Sequence, residues 1–316
     1  MRYLALLIGL AACGGGKGGA SDAGSTDDGA LDGALVDTAG PPAQQFVISR
    51  ERVPANNNEA SAFALDLDGN KITDNQLGFV LAVLISHGVP LQPQLDAAVD
   101  RGRTLLLAEA TLSDATGTFT LLTGENAAPA PCASDQDIVC RHHLDGTGTF
   151  DLAATSAHDT PLAGTYDGTK LAAGPGTLHL VVPLGGRDAT LPLAGARVRL
   201  DAPTADGIAA TSVIAGAVLE PDIDPMVVTP LQEGMNAVVA RDCPSPASAD
   251  CGCPSGGAHS ILVLFDNNPK DCAVTFTEVR NHVYLDDLLA PDITIDGSRA
   301  LSFGIQVTAV KATFPR

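Results

Sequence analysis

The sequence predicts an α+β fold: a β-rich centre, either a sheet or a sandwich, flanked by helices and preceded by a disordered N-terminal tether. Three observations carry this. Apolar residues make up 45% of the 316 positions and charged residues 17%, a mix that can build a core. Short Thr-, Val- and Leu-rich runs separated by Gly, Pro and Asp fill the middle of the chain, which is the pattern of strands and turns. On either side of them, apolar residues recur at helical spacing.

In chain order, Phe46-Val47-Ile48 opens the first apolar run, so the domain is expected to start near Gln44. Leu77, Leu81 and Leu84 share a helical face, with Thr73 and Gln76 placed as a capping box at its start. A second helix is expected near Leu95 to Val99, ended by Gly102. Strands are expected at Thr104 to Ala110, Gly117 to Thr123, Thr147 to Leu152, Gly176 to Pro183 and Ala196 to Asp201. Met226 to Ala240, Ala258 to Phe265 and Thr277 to Leu289 read as helices, and Ala300 to Thr313 as a final strand. No composition break divides these zones, so residues 44–316 are expected to form a single α+β domain.

The first residues read as an address. Met1-Arg2-Tyr3 precedes an apolar run from Leu4 to Leu10, then Ala11-Ala12-Cys13-Gly14. A positive start, an apolar stretch and small residues at the cut make residues 1–12 a signal peptide, too short to span a bilayer as a mature helix. Leu10-Ala11-Ala12-Cys13 resembles the bacterial lipobox. That resemblance implies that Cys13 is acylated and becomes the new N-terminus, so the partner is a membrane, reached through lipid. Gly14 stands where Asp often signals inner-membrane retention, which favours the outer membrane of the cell envelope. From Cys13 to residue 43 the chain is mostly Gly, Ala, Ser, Asp and Thr. It lacks the apolar surface needed to offset its ordering entropy, and a coil of this length spans roughly 30 Å.

Composition excludes several functions. The net charge is −19, and the 18 basic residues form no cluster, so a phosphate backbone would be repelled and nucleic acid is not a partner. Trp is absent and Tyr occurs three times, which disfavours a sugar-stacking surface. No G-x-S-x-G, H-E-x-x-H or S-x-x-K motif is present, so the chain is read as a non-enzyme. The alternative is an envelope hydrolase whose Ser, His and Asp meet only in space.

Seven cysteines include six beyond Cys13: Cys132, Cys140, Cys243, Cys251, Cys253 and Cys272. An even set in an exported chain reads as disulfides. A Cys132–Cys140 bridge would close about nine residues and contribute roughly 2.5 kcal/mol on the entropic model. Cys251 and Cys253 are too close to bond to each other readily and should pair outward with Cys243 and Cys272, in an order the spacing does not fix. The competing reading is a tetrahedral zinc site of Cys243, Cys251, Cys253 and Cys272, against which stand the missing C-x-x-C knuckles. His142-His143 beside Cys140 reads as a solvated loop.

The most site-like stretch runs from Asp66 to Asp74. Asp66, Asp68, Asn70 and Asp74 place oxygen side chains as D-x-D-x-D-G-x-x-D calcium loops do, and calcium takes six to eight such oxygens. Lys71 stands where those loops carry Gly, and Leu77 where an EF-hand has its bidentate Glu. A shorter echo, Asp292 to Gly297, lies near the C-terminus. The alternative is a polar turn with Thr73 or Asp74 as helix N-cap.

These features resemble, in combination, a group of myxobacterial cell-envelope lipoproteins: the short lipobox leader, the Gly/Asp-rich tether, and D-x-D-G-x-x-x-x-D-N-x-L-G from Asp66 to Gly78. Gly174-Pro175-Gly176-Thr177-Leu178, Pro291-Asp292 and Leu301-Ser302-Phe303-Gly304 extend the likeness over most of the chain. The resemblance implies an address and an architecture, and no chemistry. If Cys13 carries the lipid, Cys13→Ala should move the protein from the detergent to the aqueous phase on phase separation. Retention in the detergent phase would refute the lipid assignment.

Overall fold

The first and last strands of the domain pair with each other. In this computed structural model, which describes residues 42–132, 141–184, 187–243, 251–254, 256–267 and 269–315, β1 (Gln44–Arg52) lies beside β2 (Leu106–Leu112). The ring continues through β3 (Thr116–Ala128), then, past β4 (Thr149–Leu152), through β5 (Leu162–Tyr166), β6 (Lys170–Leu184), β7 (Arg187–Asp201) and β8 (Gly207–Leu219). After β9 (Ile293–Ile295), β10 (Ser298–Lys311) pairs β8 on one side and β1 on the other, with Phe46 opposite Lys311. Eight antiparallel strands therefore close into a barrel, while β4 adds to β3 and β9 to β10. The leader, Cys13, the tether up to residue 41, and Cys140 lie outside the described residues.

The predicted β-rich centre with flanking helices is present, but the sheet closes on itself and does not stack as a sandwich. Covering on both faces explains the unbroken apolar run in β1. Phe46 and Ile48 enter the main core with Leu106, Ala108, Phe119, Leu180 and Phe303. Val47 turns the other way, onto Leu105, Leu107, Phe150 and Phe314. A strand buried on both faces loses its polar alternation.

Helices α1 (Asn57–Ala62), α2 (Gln76–Ser86) and α3 (Leu91–Asp100) follow β1. The predicted Thr73/Gln76 capping box is not used. Asn75 is the N-cap, and its Oδ1 accepts from Gly78 N. A buried amide with two acceptors and two donors to place outcompetes an exposed Thr. Asn75 Oδ1 also accepts from Gly304 N at 2.8 Å, and its Nδ2 donates to Ala60 O at 2.9 Å and Gly304 O at 3.1 Å. One side chain thus joins α1, α2 and β10. Glycine is required on both sides of it: a Cβ on Gly78 would sit 2.4 Å from Asn75 Oδ1, and one on Gly304 2.2 Å from Phe63 O.

Helix α2 ends in a Schellman motif, with Gly88 at φ +88° and Val89 N donating to Leu84 O. Helix α3 ends as expected at Gly102, in the left-handed region. Arg103 N and Thr104 N both donate to Ala98 O. That holds the start of the predicted 104–110 strand to the helix, and pairing begins at Leu106. Helix α3 packs against both β1 and β6, strands four places apart in the ring.

Of the expected C-terminal helices, the first begins earlier than its periodicity suggests and the last ends sooner. α4 (Glu220–Ile223), a π-helical turn (Asp224–Val228) and α5 (Thr229–Asp242) run on without a break. α6 (Gly257–Phe265) matches its expectation, whereas α7 covers only Phe276–Arg280. The predicted continuation to Leu289 is interrupted at His282, whose ring packs 4.7 Å from Phe265 and 5.4 Å from Tyr284. Strand β8 was not among the expected strands. Its Ile208, Thr211, Val213, Ile214 and Val218 favour a strand, but Ala and Gly interrupt them at 207, 209, 210 and 215–217.

Glu51 faces Val307 across the β1–β10 pair, on the side that carries Ile305 and Phe303 into the core. It is 1% exposed, and neither carboxylate oxygen has a hydrogen-bond partner among the described residues. Burial, with a smaller contribution from Asp188, pushes its pKa up to about 8. Glu51 therefore keeps its proton when folded and loses it near 4.5 when unfolded. Stability should fall as pH rises between those values, by up to about 1.4 kcal/mol per pH unit. Glu51→Gln should flatten the pH 5 to 8 stability profile in urea and raise the midpoint at pH 8; parallel profiles would contradict the assignment. Asn75→Ala leaves several buried backbone groups unpaired and should cost about 3 kcal/mol or more in the same assay.

Candidate functional site: an acidic loop on the barrel wall

The loop from Asp66 to Asp74 is closed by a bridge between Leu65 and Asp74, in which Asp74 N donates to Leu65 O at 2.9 Å. Leu67 pins it to the outer face of β8, packing with Val213, Ala215, Ala217, Ile293 and Ile295. Between these anchors, side chains satisfy the backbone. Asp66 accepts from Gly69 N at 2.7 Å and Lys71 N at 3.0 Å. Asp68 accepts from Asn70 N, and Asn70 Oδ1 from Ile72 N. Asp74 accepts from Leu67 N at 2.8 Å.

Carboxylate oxygens of Asp66, Asp68 and Asp74 lie within 4.8 Å of one another. Lys71, at the position where calcium loops carry Gly, adopts the left-handed backbone at φ +71°. The turn is therefore made despite the substitution. Asn70 is occupied differently: besides its acceptor contact, its Nδ2 donates to Asp68 Oδ2 at 3.0 Å. Burial raises the Asp74 pKa above the ordinary carboxylate value, opposed by the Leu67 N–H and reinforced by Asp68, Asp292 and Asp66. The donor set is hard oxygen, which suits calcium. Three carboxylates fall short of its usual six to eight ligands, so backbone oxygens or water would complete the shell.

The echo near the C-terminus meets the same face from the other side. Asp292 accepts from Ser302 N at 2.8 Å and Ser302 Oγ at 2.6 Å, and Ser302 Oγ accepts from Gln76 N. It secures the start of α2 and is not available as a ligand. Asp296 and Gly297, both at positive φ, form the two-residue turn of the β9–β10 hairpin. Asp296 and Asp68 line one cavity of about 390 Å³.

The cysteines pair outward as expected, and the structure fixes the order: Cys243 with Cys253, and Cys251 with Cys272. The zinc alternative falls with this pairing, since all four sulfurs are consumed. The bridges tie the end of α5 to the segment around α6. The expectation of a solvated His142-His143 loop is corrected at His143, which is fully buried. Its Nε2 lies 3.3 Å from Val99 O, its ring meets the edge of Phe150, and burial lowers its pKa.

One arrangement had no sequence signal. β5 pairs β6 only at Leu171 to Ala173, so farther along β6 the wall between β3 and β6 has no strand. The segment before β5 fills the gap with side chains. Asp159 accepts from His179 N at 2.9 Å on β6, and Ser156 Oγ accepts from Thr123 N at 2.9 Å on β3. The same Asp159 carboxylate holds His179 Nδ1 at 2.9 and 3.0 Å. The two residues are 20 positions apart in no recognisable motif, and a missing strand partner brings them together.

Comparison with family models, with curated proteins and with solved structures finds no match to this chain.

Proposed function

We propose that the chain is a lipid-anchored protein of the bacterial cell envelope, with a binding or structural role and a calcium ion stabilising the Asp66–Asp74 loop. The convergence of the Asp66, Asp68 and Asp74 carboxylates within 4.8 Å carries the calcium part. Three like charges so close repel one another, and a divalent cation would remove that cost. Because Leu67 fastens the loop to β8 and Asn75 begins α2 directly after it, such an ion would stabilise the barrel wall and take no part in chemistry. The anchor rests on the leader and on Cys13. Its support is the agreement of the lipobox with the disulfides at Cys243–Cys253 and Cys251–Cys272, which form in oxidising compartments. No single helix among the described residues is long and apolar enough to cross a membrane.

Thermal unfolding tests the ion. At a calcium concentration about 100 times its Kd, binding adds roughly 2.7 kcal/mol, which for a domain of this size raises Tm by about 5 °C or more. EGTA should reverse the shift, and Asp66→Asn with Asp68→Asn should abolish it. Superimposable transitions with calcium and with EGTA would end the calcium reading.

A further inference from the structure

The gap in the barrel wall is a cavity of about 590 Å³, within the range that holds a small molecule. His179 lines it, and so do Glu125, Arg103 and Asp188, with Leu105 and Val181 as apolar lining. The imidazole is not free to choose its role. Asp159 is 10% exposed in its side chain and holds Nδ1 from two oxygens while also accepting the His179 backbone N–H. A carboxylate in that position takes the Nδ1–H hydrogen bond, so in the neutral ring Nε2 is left as an acceptor.

The charges around it are unbalanced. Arg103 is matched by Asp188, 3.5 Å away, which also accepts from Thr104 Oγ1. Glu125, at the mouth, has no ion-pair partner among the described residues. It stands directly opposite Asp151 across the β3–β4 pair, where like charges destabilise a sheet. The acceptors do not converge tightly enough for a bare metal ion: no described group that could hold one includes His179, Glu125 or Asp188. An ammonium suits more widely spaced acceptors, because its N–H contacts run at about 2.9 Å where metal–ligand bonds are about 2.0–2.6 Å.

We infer that this cavity binds a small organic cation bearing N–H donors, an alkylammonium, with the ammonium donating to His179 Nε2 and Glu125 and the alkyl chain lying on Leu105 and Val181. Asp159 is the positioning residue. The site is independent of the Asp66–Asp74 loop and of the anchor, so its test is run in EGTA.

The test is an NMR titration of the ¹⁵N-labelled full-length chain with n-butylammonium, tetramethylammonium and acetate. Butylammonium should shift the His179 ring nitrogens saturably. Tetramethylammonium, which has the charge but no N–H, should bind about tenfold more weakly, as expected for loss of a charge-assisted hydrogen bond. His179→Phe should weaken butylammonium by a similar factor. Glu125→Gln, at an exposed position that leaves the fold unchanged, should weaken it about three- to fivefold. Unmoved His179 resonances, equal affinity in the wild type and Glu125→Gln, or tighter binding of acetate would each overturn the proposal.

Discussion

The β1–β10 pairing is the constraint on which the rest depends. An antiparallel sheet of this size has two edges with unpaired backbone groups, and such edges invite aggregation. Closing the first strand onto the last removes both. It also creates an interior that must be filled, and Leu, Val, Ile, Ala and Phe fill it in a chain that has no Trp. Contacts between the ends of the domain extend beyond the ladder. Gln45 donates through Nε2 to Phe314 O and accepts through Oε1 from Phe314 N.

Closure is incomplete in one place, and the chain repairs it with side chains. β5 is five residues long between β6 of 15 and β3 of 13. Buried backbone N–H groups need partners whether or not a strand is present. Ser156 and Asp159 supply them, and in doing so Asp159 also fixes an imidazole at the rim of a cavity. A repair of the wall and a polar site are therefore one structure.

A second polar knot fastens the helical layer to the barrel. Asn75 binds Gly304 through both backbone groups, and the Asp292–Ser302–Gln76 chain holds the start of α2 from the β9–β10 hairpin. The acidic loop lies just before this knot, which gives its carboxylates fixed positions despite their mutual repulsion. Glu51 shows the opposite arrangement: a carboxyl kept neutral because burial leaves it no partner that would favour its charge. Burial shifts His143 in the opposite sense, as it must for a base, lowering its pKa against the opposing contact with Val99 O.

Much of this was legible in the sequence, wherever the signal was local. Periodicity placed α2, α3 and α6, turn residues separated most of the strands, and alternating oxygens marked the Asp66–Asp74 loop. The outward pairing of Cys251 and Cys253 followed from their spacing. The sequence by itself determined an α+β composition, an apolar N-terminal run ahead of Cys13 and a loop with oxygen side chains at alternate positions. Tertiary structure alone decided the rest. Barrel closure joins residues at opposite ends of the domain, and no local pattern encodes a partner so distant. The N-cap moved from Thr73 to Asn75 because Gly304 and Ala60 offer buried partners to an amide. The order of the disulfides, the burial of Glu51 and the meeting of His179 with Asp159 depend likewise on where the strands run out and what then lies beside them.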